Sequence, residues 1–176
     1  MNRDPQWQPL RYCSRCGSEV VERIVGGRAR PACPACGFVA YVDPKVACGV
    51  LIERGGRVLL VRRRNEPGRG LWCLPCGFEE ADEPPEQAAR REALEEIGAE
   101  VALDGVLGIY HYTDDPRGAG ILVIYRARCD AAAALAPGDD AADIGFFAPD
   151  ALPPISHHTH RRALEDWVAG RIENEE

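Results

Sequence analysis

No apolar run in this chain approaches the roughly 18 residues that a membrane-spanning helix requires. The first dozen residues, Met1 to Tyr12, are polar and contain proline, without the apolar stretch of a secretory leader. Low complexity is missing as well, because the 18 glycines and 14 prolines are dispersed rather than periodic. These absences exclude a helical membrane protein, a fibre and a disordered chain, and a reducing, cytoplasmic compartment is expected. What is there is an ordinary globular composition, 45% apolar and 28% charged over 176 residues. That length suits one domain of common size with a small appendage.

The net charge of −7 hides a division along the chain. Residues 1–40 hold six arginines against Asp4, Glu19 and Glu22, a balance of +3, which leaves −10 for the remainder. Nine acidic residues lie between Glu79 and Glu100, faced only by Arg90 and Arg91. So dense a carboxylate cluster is either a solvated helix face or a site that cations neutralise.

Eight cysteines divide unevenly. Cys13, Cys16, Cys33 and Cys36 form two C-x2-C pairs, each followed directly by glycine, at Gly17 and Gly37. Two such knuckles supply four thiolates at tetrahedral geometry, with the glycines allowing the turn that aims N–H groups at sulfur. Val20 to Val25 reads as a strand and Gly26-Gly27 as a hairpin turn. This resembles a zinc ribbon holding structural Zn2+; two disulfides are the alternative, which a reducing compartment disfavours. About 40 residues bury too little to fold alone, so the metal would staple them. Cys73 and Cys76 make a third C-x2-C, but no helix follows directly, as a redox pair would want, and no further pair completes a metal site. Cys48 and Cys129, in apolar strand-like runs, read as small buried hydrophobes.

Beyond the ribbon, Val46–Ile52 and Val58–Val61 read as a hairpin. Pro84-Pro85 opens a helix that runs to about Ile97 and stops at Gly98. Strands are expected at Val101–Leu103, Val106–Tyr112, Ile121–Arg128 and Ile144–Phe147. Ser156 would cap a terminal helix with Leu164, Trp167 and Val168 on one side. The pattern predicts an α/β fold, an α/β/α sandwich with segregated elements. The expected boundaries are a ribbon over 1–40, a main domain over 41–170 and a frayed tail over 171–176.

On the predicted helix Glu92, Glu95 and Glu96 fall at i, i+3 and i+4, on one exposed arc, while Ala93, Leu94 and Ile97 take the opposite arc toward the core. Three such carboxylates make a hard-oxygen site for Mg2+ or Mn2+. Arg91 borders the arc, and Glu83 could reach back to it. The whole constellation is Gly77, Glu83, Arg91, Glu92, Glu95, Glu96 and Gly98 within 23 positions, with Ala93 and Ala99 at its two aliphatic positions. It resembles the signature of the Nudix hydrolases in every fixed residue. A four-cysteine ribbon before it is similar to the subgroup containing NADH, ADP-ribose and FAD pyrophosphatases. Two departures stand out. Cys76 occupies a position usually Gly or Ala, whose backbone carbonyl often binds metal in relatives, and the helix N-cap is Pro84.

The resemblance implies a mixed-sheet Nudix sandwich and metal-dependent hydrolysis of a nucleoside diphosphate linked to another moiety. Glu92, Glu95 and Glu96 would hold the divalent ions, with Arg91 and Glu83 supporting them. The base would be Glu92, a metal-bound hydroxide or a later loop carboxylate, with Asp139, Asp140 and Asp143 as candidates. Arg62, Arg63 and Arg64 either grip phosphate or are solvated strand-end charges. Tyr110 and Tyr112 either stack on a base or pack. His157, His158 and His160 read as an exposed helix N-terminus. The segment Gly108–Tyr112 lacks the NADH-selective pattern, and Pro116 is weakly reminiscent of ADP-ribose enzymes, so an ADP-ribose-like substrate leads, with FAD or NADH next. The partner would be a small nucleotide, with no membrane; a homodimer is compatible with this reading. A different class stays open: the basic ribbon could bind nucleic acid, in an RNA-end pyrophosphatase or a non-catalytic sensor. Its few aromatics, Trp7, Tyr12 and Phe38, argue against a single-strand platform.

Overall fold

The structure, a computed structural model, describes residues 10–113, 115, 118–138 and 140–172. Trp7, Pro116, Asp139 and the tail from 173 lie outside the described residues. The described chain forms two compact units, one of residues 10–44 with Asp115 and Gly118, the other of residues 45–113, 119–138 and 140–172.

In the first unit, β1 (Val21–Val25) and β2 (Arg28–Ala32) pair antiparallel around Gly26-Gly27. Each knuckle closes in the same way. Gly17 N–H donates to the Cys13 carbonyl at 2.9 Å and Gly37 N–H to the Cys33 carbonyl at 3.0 Å. Both glycines have φ near +74°, a conformation that a side chain would resist.

The second unit contains β3 (Lys45–Arg54), β4 (Arg57–Arg63), β5 (Trp72–Cys73), β6 (Cys76–Phe78), α1 (Pro85–Ile97), β7 (Val101–Tyr112), β8 (Gly120–Cys129), β9 (Ala141–Phe147) and α2 (His158–Ile172). The sheet runs β5-β4-β3-β8-β7, with β6 also pairing to β3 and β9 to β4. Only two residue pairs, at Glu53 and Arg54, join the β3–β4 hairpin; before Glu53, β3 instead runs parallel to β8 and antiparallel to β6. The sheet is therefore mixed. Its central strands are buried on both faces, which is why they read as continuous apolar runs. From β3, Cys48, Val50 and Ile52 meet Ala88, Ala89, Ala93 and Ile97 of α1, while Ala47 and Leu51 join Ala163, Leu164 and Trp167 of α2. This is the α/β/α sandwich that the pattern predicts.

Three local expectations need correction. The two strands expected at Val101–Leu103 and Val106–Tyr112 are one strand, because register shifts at Leu103/Gly105 and Val106/Gly108 absorb the extra residues without ending the pairing. The Ser156 hydroxyl lies 2.7 Å from His157 Nδ1 rather than serving as a helix cap. Cys129 is only half buried, with an Arg54 guanidinium nitrogen 3.3 Å from its sulfur. Among the described residues, no helix is long and apolar enough to cross a membrane.

Candidate active site

Helix α1 carries the glutamates, and its seating decides what each can do. Pro84 sits at the N-cap with extended φ and ψ and supplies no side-chain cap, while Gly98 closes the C-terminus with φ 69°. The buried stripe is made by Ala88, Ala89, Ala93 and Ile97. Leu94, expected in the core, is 50% exposed, since it lies about 160° around the helix from Glu96. Glu96 falls on the sheet-facing side and is only 9% exposed. The three carboxylates therefore do not share an exposed face. They run from open Glu95, through mostly buried Glu92, to buried Glu96.

Arg91 gathers the open side of this arc. Its guanidinium donates to Glu83 at 2.6 Å, Glu92 at 2.6 Å, Glu95 at 3.1 Å and the Phe78 carbonyl at 2.9 Å. The expected reach of Glu83 back to Arg91 is thus present, and it lowers the Glu83 pKa. Gly77 lies against Glu92, where a Cβ would overlap the carboxylate. Any side chain there would push the Glu92 carboxylate out of its place.

On the buried side, the Cys76 N–H donates to Glu96 Oε2 at 3.0 Å. That bond favours the charged carboxylate, but burial outweighs it and, with Glu92 and Asp140 nearby, pushes the Glu96 pKa up to about 8. Burial likewise raises Glu92, against the pull of Arg91. These are hard oxygen donors carrying more negative charge than the local cations balance, which fits Mg2+ or Mn2+.

The remaining sequence candidates are distributed around this centre. Arg62 pairs with Asp143 at 3.4 Å, Arg63 Nε donates to the Pro67 carbonyl at 2.7 Å, and Arg64 donates to the Ala141 carbonyl at 2.9 Å. Of these, Arg63 exerts its charge on Glu96. Asp140 also acts on Glu96 and accepts from Asn65 at 2.7 Å, whereas Asp143 is engaged by Arg62. Tyr110 and Tyr112 are packed rather than open for base stacking: both are buried, and the Tyr110 hydroxyl donates to Asp166 at 2.8 Å. His160 is no exposed helix end. It is 4% exposed and contacts the Leu74–Cys76 segment. No sequence spacing links it to residues more than 80 positions earlier.

The ribbon cysteines form the metal-capable group among the described residues whose ligand atoms all lie within 4.8 Å of one another. Cys13 and Cys36 sulfurs are 3.6 Å apart, and those of Cys16 and Cys33 3.5 Å. A Zn–S bond of about 2.3 Å gives tetrahedral S–S edges of about 3.8 Å, so the cluster fits zinc. All four positions would be filled by sulfur.

A sheet with a helix on each face and a glutamate-rich helix pinned by one arginine define a Nudix hydrolase. The chain belongs to the NUDIX family: residues 43–168 match its NUDIX domain model, and residues 11–42 match the model described as Nudix N-terminal, a zinc ribbon. An ADP-ribose pyrophosphatase of Methanocaldococcus jannaschii is 35% identical over 129 residues, covering 73% of this chain and 75% of that protein. A NAD-capped RNA hydrolase NudC of Pseudomonas aeruginosa is 32% identical over 150 residues, 82% of this chain but only 50% of the relative, so the chain spans about half of that length. A crystal structure of a NUDIX hydrolase from Nitrosomonas europaea superposes with a TM-score of 0.82 at 32% identity, covering 93% of each chain.

Proposed function

We propose that this Nudix hydrolase cleaves the pyrophosphate bond of an ADP-ribose-like dinucleotide, with Mg2+ or Mn2+ held by Glu92, Glu95 and Glu96 and by the backbone carbonyl of Cys76. The observation that carries this reading is the convergence of Glu83, Glu92 and Glu95 on Arg91 beside a buried Glu96. Divalent ions bound there supply Lewis-acid charge neutralisation at the phosphates and activation of water. The chain's own residues do the holding. Arg91 holds Glu92 and Glu95 together and oriented, Glu83 fixes Arg91, and the Cys76 N–H fixes Glu96. Asp140 is the better-placed loop carboxylate for a base, because its charge reaches Glu96 while Asp143 is tied to Arg62.

The substrate class rests on the archaeal ADP-ribose pyrophosphatase, with FAD and NADH following. One observation favours a second reading, an RNA-linked dinucleotide. In the ribbon hairpin Arg23 stands directly opposite Arg30, and Val25 opposite Arg28, so three arginines share one face. Arg30 also lies 4.4 Å from the Tyr41 ring centre. Like charges in direct register repel unless an anion bridges them.

A panel of ADP-ribose, FAD, NADH and NAD-capped RNA with Mg2+ or Mn2+, scored by released nucleoside monophosphate, separates these readings. ADP-ribose is expected to show the highest kcat/KM. A clear preference for the capped RNA, abolished in R23A/R30A, would favour the second reading. No turnover of any member would overturn both.

A further inference from the structure

Helix α2 carries a buried histidine that the function above leaves unused. The ring of His160 meets the loop between β5 and β6 at two atoms. Leu74 N–H donates to Nδ1 at 3.3 Å, and Nε2 lies 3.7 Å from Cys76 Sγ. Because Nδ1 accepts, the ring proton sits on Nε2 and is directed at the sulfur. Burial disfavours the imidazolium and lowers its pKa to about 3, so the ring stays neutral near pH 7.

A sulfur and a ring nitrogen at this separation suggest a soft-metal site, since such ligands on one zinc stand about 3.5 Å apart. The tautomer opposes it. To bind metal, Nε2 would have to lose its proton, and Nδ1 would then carry one aimed at the Leu74 N–H. The thiols oppose it too, because burial pushes Cys73 up to about 12 and Cys76 well above its ordinary value. Thiols held protonated are poor ligands and poor redox partners. The contacts are hydrogen bonds.

Their consequence lies at the other end of the loop. Val50 N–H donates to the Pro75 carbonyl at 3.0 Å, and a Cβ at Gly49 would collide with Cys76 Cβ and the Pro75 oxygen, so the loop is pressed onto β3. Cys76 N–H then donates to Glu96. A path of short contacts thus runs from α2, on one face of the sheet, to a carboxylate of α1, on the other.

We infer that His160 is a positioning residue for Glu96: from α2 it anchors Leu74–Cys76 so that the Cys76 N–H stays aimed at the metal-binding carboxylate. The inference rests on the metal reading given under Proposed function. Loss of the ring leaves the Leu74 N–H buried without an acceptor, and the loop must move to recover one.

The test uses the full chain with its zinc retained and measures Mn2+ binding by EPR titration, beside thermal unfolding and Mn2+-dependent turnover. His160→Phe is expected to weaken Mn2+ binding roughly tenfold or more, while substrate KM at saturating Mn2+ changes less than about threefold. His160→Asn places an oxygen near the Nδ1 position and should restore Mn2+ affinity to within about threefold of wild type. A merely structural role would lower the melting temperature without moving Mn2+ affinity. If His160→Phe does not fold, His160→Gln, whose amide nitrogen matches Nε2 toward Cys76 but whose oxygen does not occupy the Nδ1 position, takes its place and should bind Mn2+ more weakly than His160→Asn. Equal affinity in wild type and the folded Phe or Gln variant overturns the inference and leaves the metal reading intact. Failure of the wild-type protein to bind Mn2+ overturns that reading and the inference together.

Discussion

At Glu96 a charged role meets a buried position, and the conflict can be read as a pH dependence. Folding without metal raises its pKa from the usual carboxylate range to about 8, chiefly through burial. The folded protein therefore keeps a proton here that the unfolded chain loses above about pH 4.5. The stability that this proton contributes is complete below that pH and is lost as pH rises through about 8. Glu96→Gln removes the titration while keeping an acceptor for the Cys76 N–H. In buffer free of Mg2+ and Mn2+, the variant should exceed wild type in stability at pH 9 by roughly 2–4 kcal/mol, with the difference shrinking below about 1 kcal/mol by pH 5. Its turnover should fall at least about 100-fold, or about 2.7 kcal/mol. Urea denaturation across pH checks the first expectation, and a flat difference between pH 5 and 9 would refute it. Arg91→Lys is a second residue-scale test, because one ammonium cannot replace a planar fork bonded to three carboxylates and a carbonyl. A loss of roughly tenfold or more in kcat/KM is expected, even though the charge is conserved.

Helix α1 works as an element because its buried stripe is made of small residues. Ala88, Ala89 and Ala93 let the helix lie close on the sheet, and that closeness carries Glu96 inward and brings Glu92 against Gly77. Two substitutions separate this arrangement from a stripe running through Leu94. Leu94→Lys should change stability by no more than about 0.5 kcal/mol, since the side chain is half exposed. Ala93→Leu should cost about 1–3 kcal/mol by overpacking and should lower activity as the helix is pushed outward. Chemical denaturation of the pair decides it, and the reverse order of destabilisation would mean the helix is seated on its other face.

For the whole molecule, each of the two compact units is stabilised internally by a different force. The larger has two apolar clusters, one on each face of the sheet. The smaller buries little, among residues 10–44 only Cys13, Pro31, Ala32 and Cys33, so its stability should depend on metal. Cys13→Ser should lower bound zinc well below the roughly one ion per chain expected of the wild type, and should remove ordered ribbon signals in an NMR spectrum. Resonances of the larger unit should persist. Their loss together with the ribbon's would show that the larger unit's fold also depends on the zinc cluster.

The amino-acid sequence by itself determined the features whose geometry is local. The ribbon cysteines sit on short turns closed by Gly17 and Gly37, and the helix from Pro85 to Gly98 is bounded by residues that start and stop helices. The pairing of Glu83 with Arg91 also came through, because a loop and the helix that follows it are neighbours in the chain. Only the tertiary structure decided which side of α1 is buried. Ala88, Ala89 and Ala93 contribute little hydrophobicity to a pattern, whereas Leu94 contributes much, yet close packing on a sheet selects for small size. It also decided the fate of Tyr110, which Asp166 of α2 engages, and of His160, whose partners are more than 80 positions away in sequence. Contacts of that kind depend on how two helices and seven strands are stacked, and no periodicity or spacing in the chain encodes a distance across the sheet.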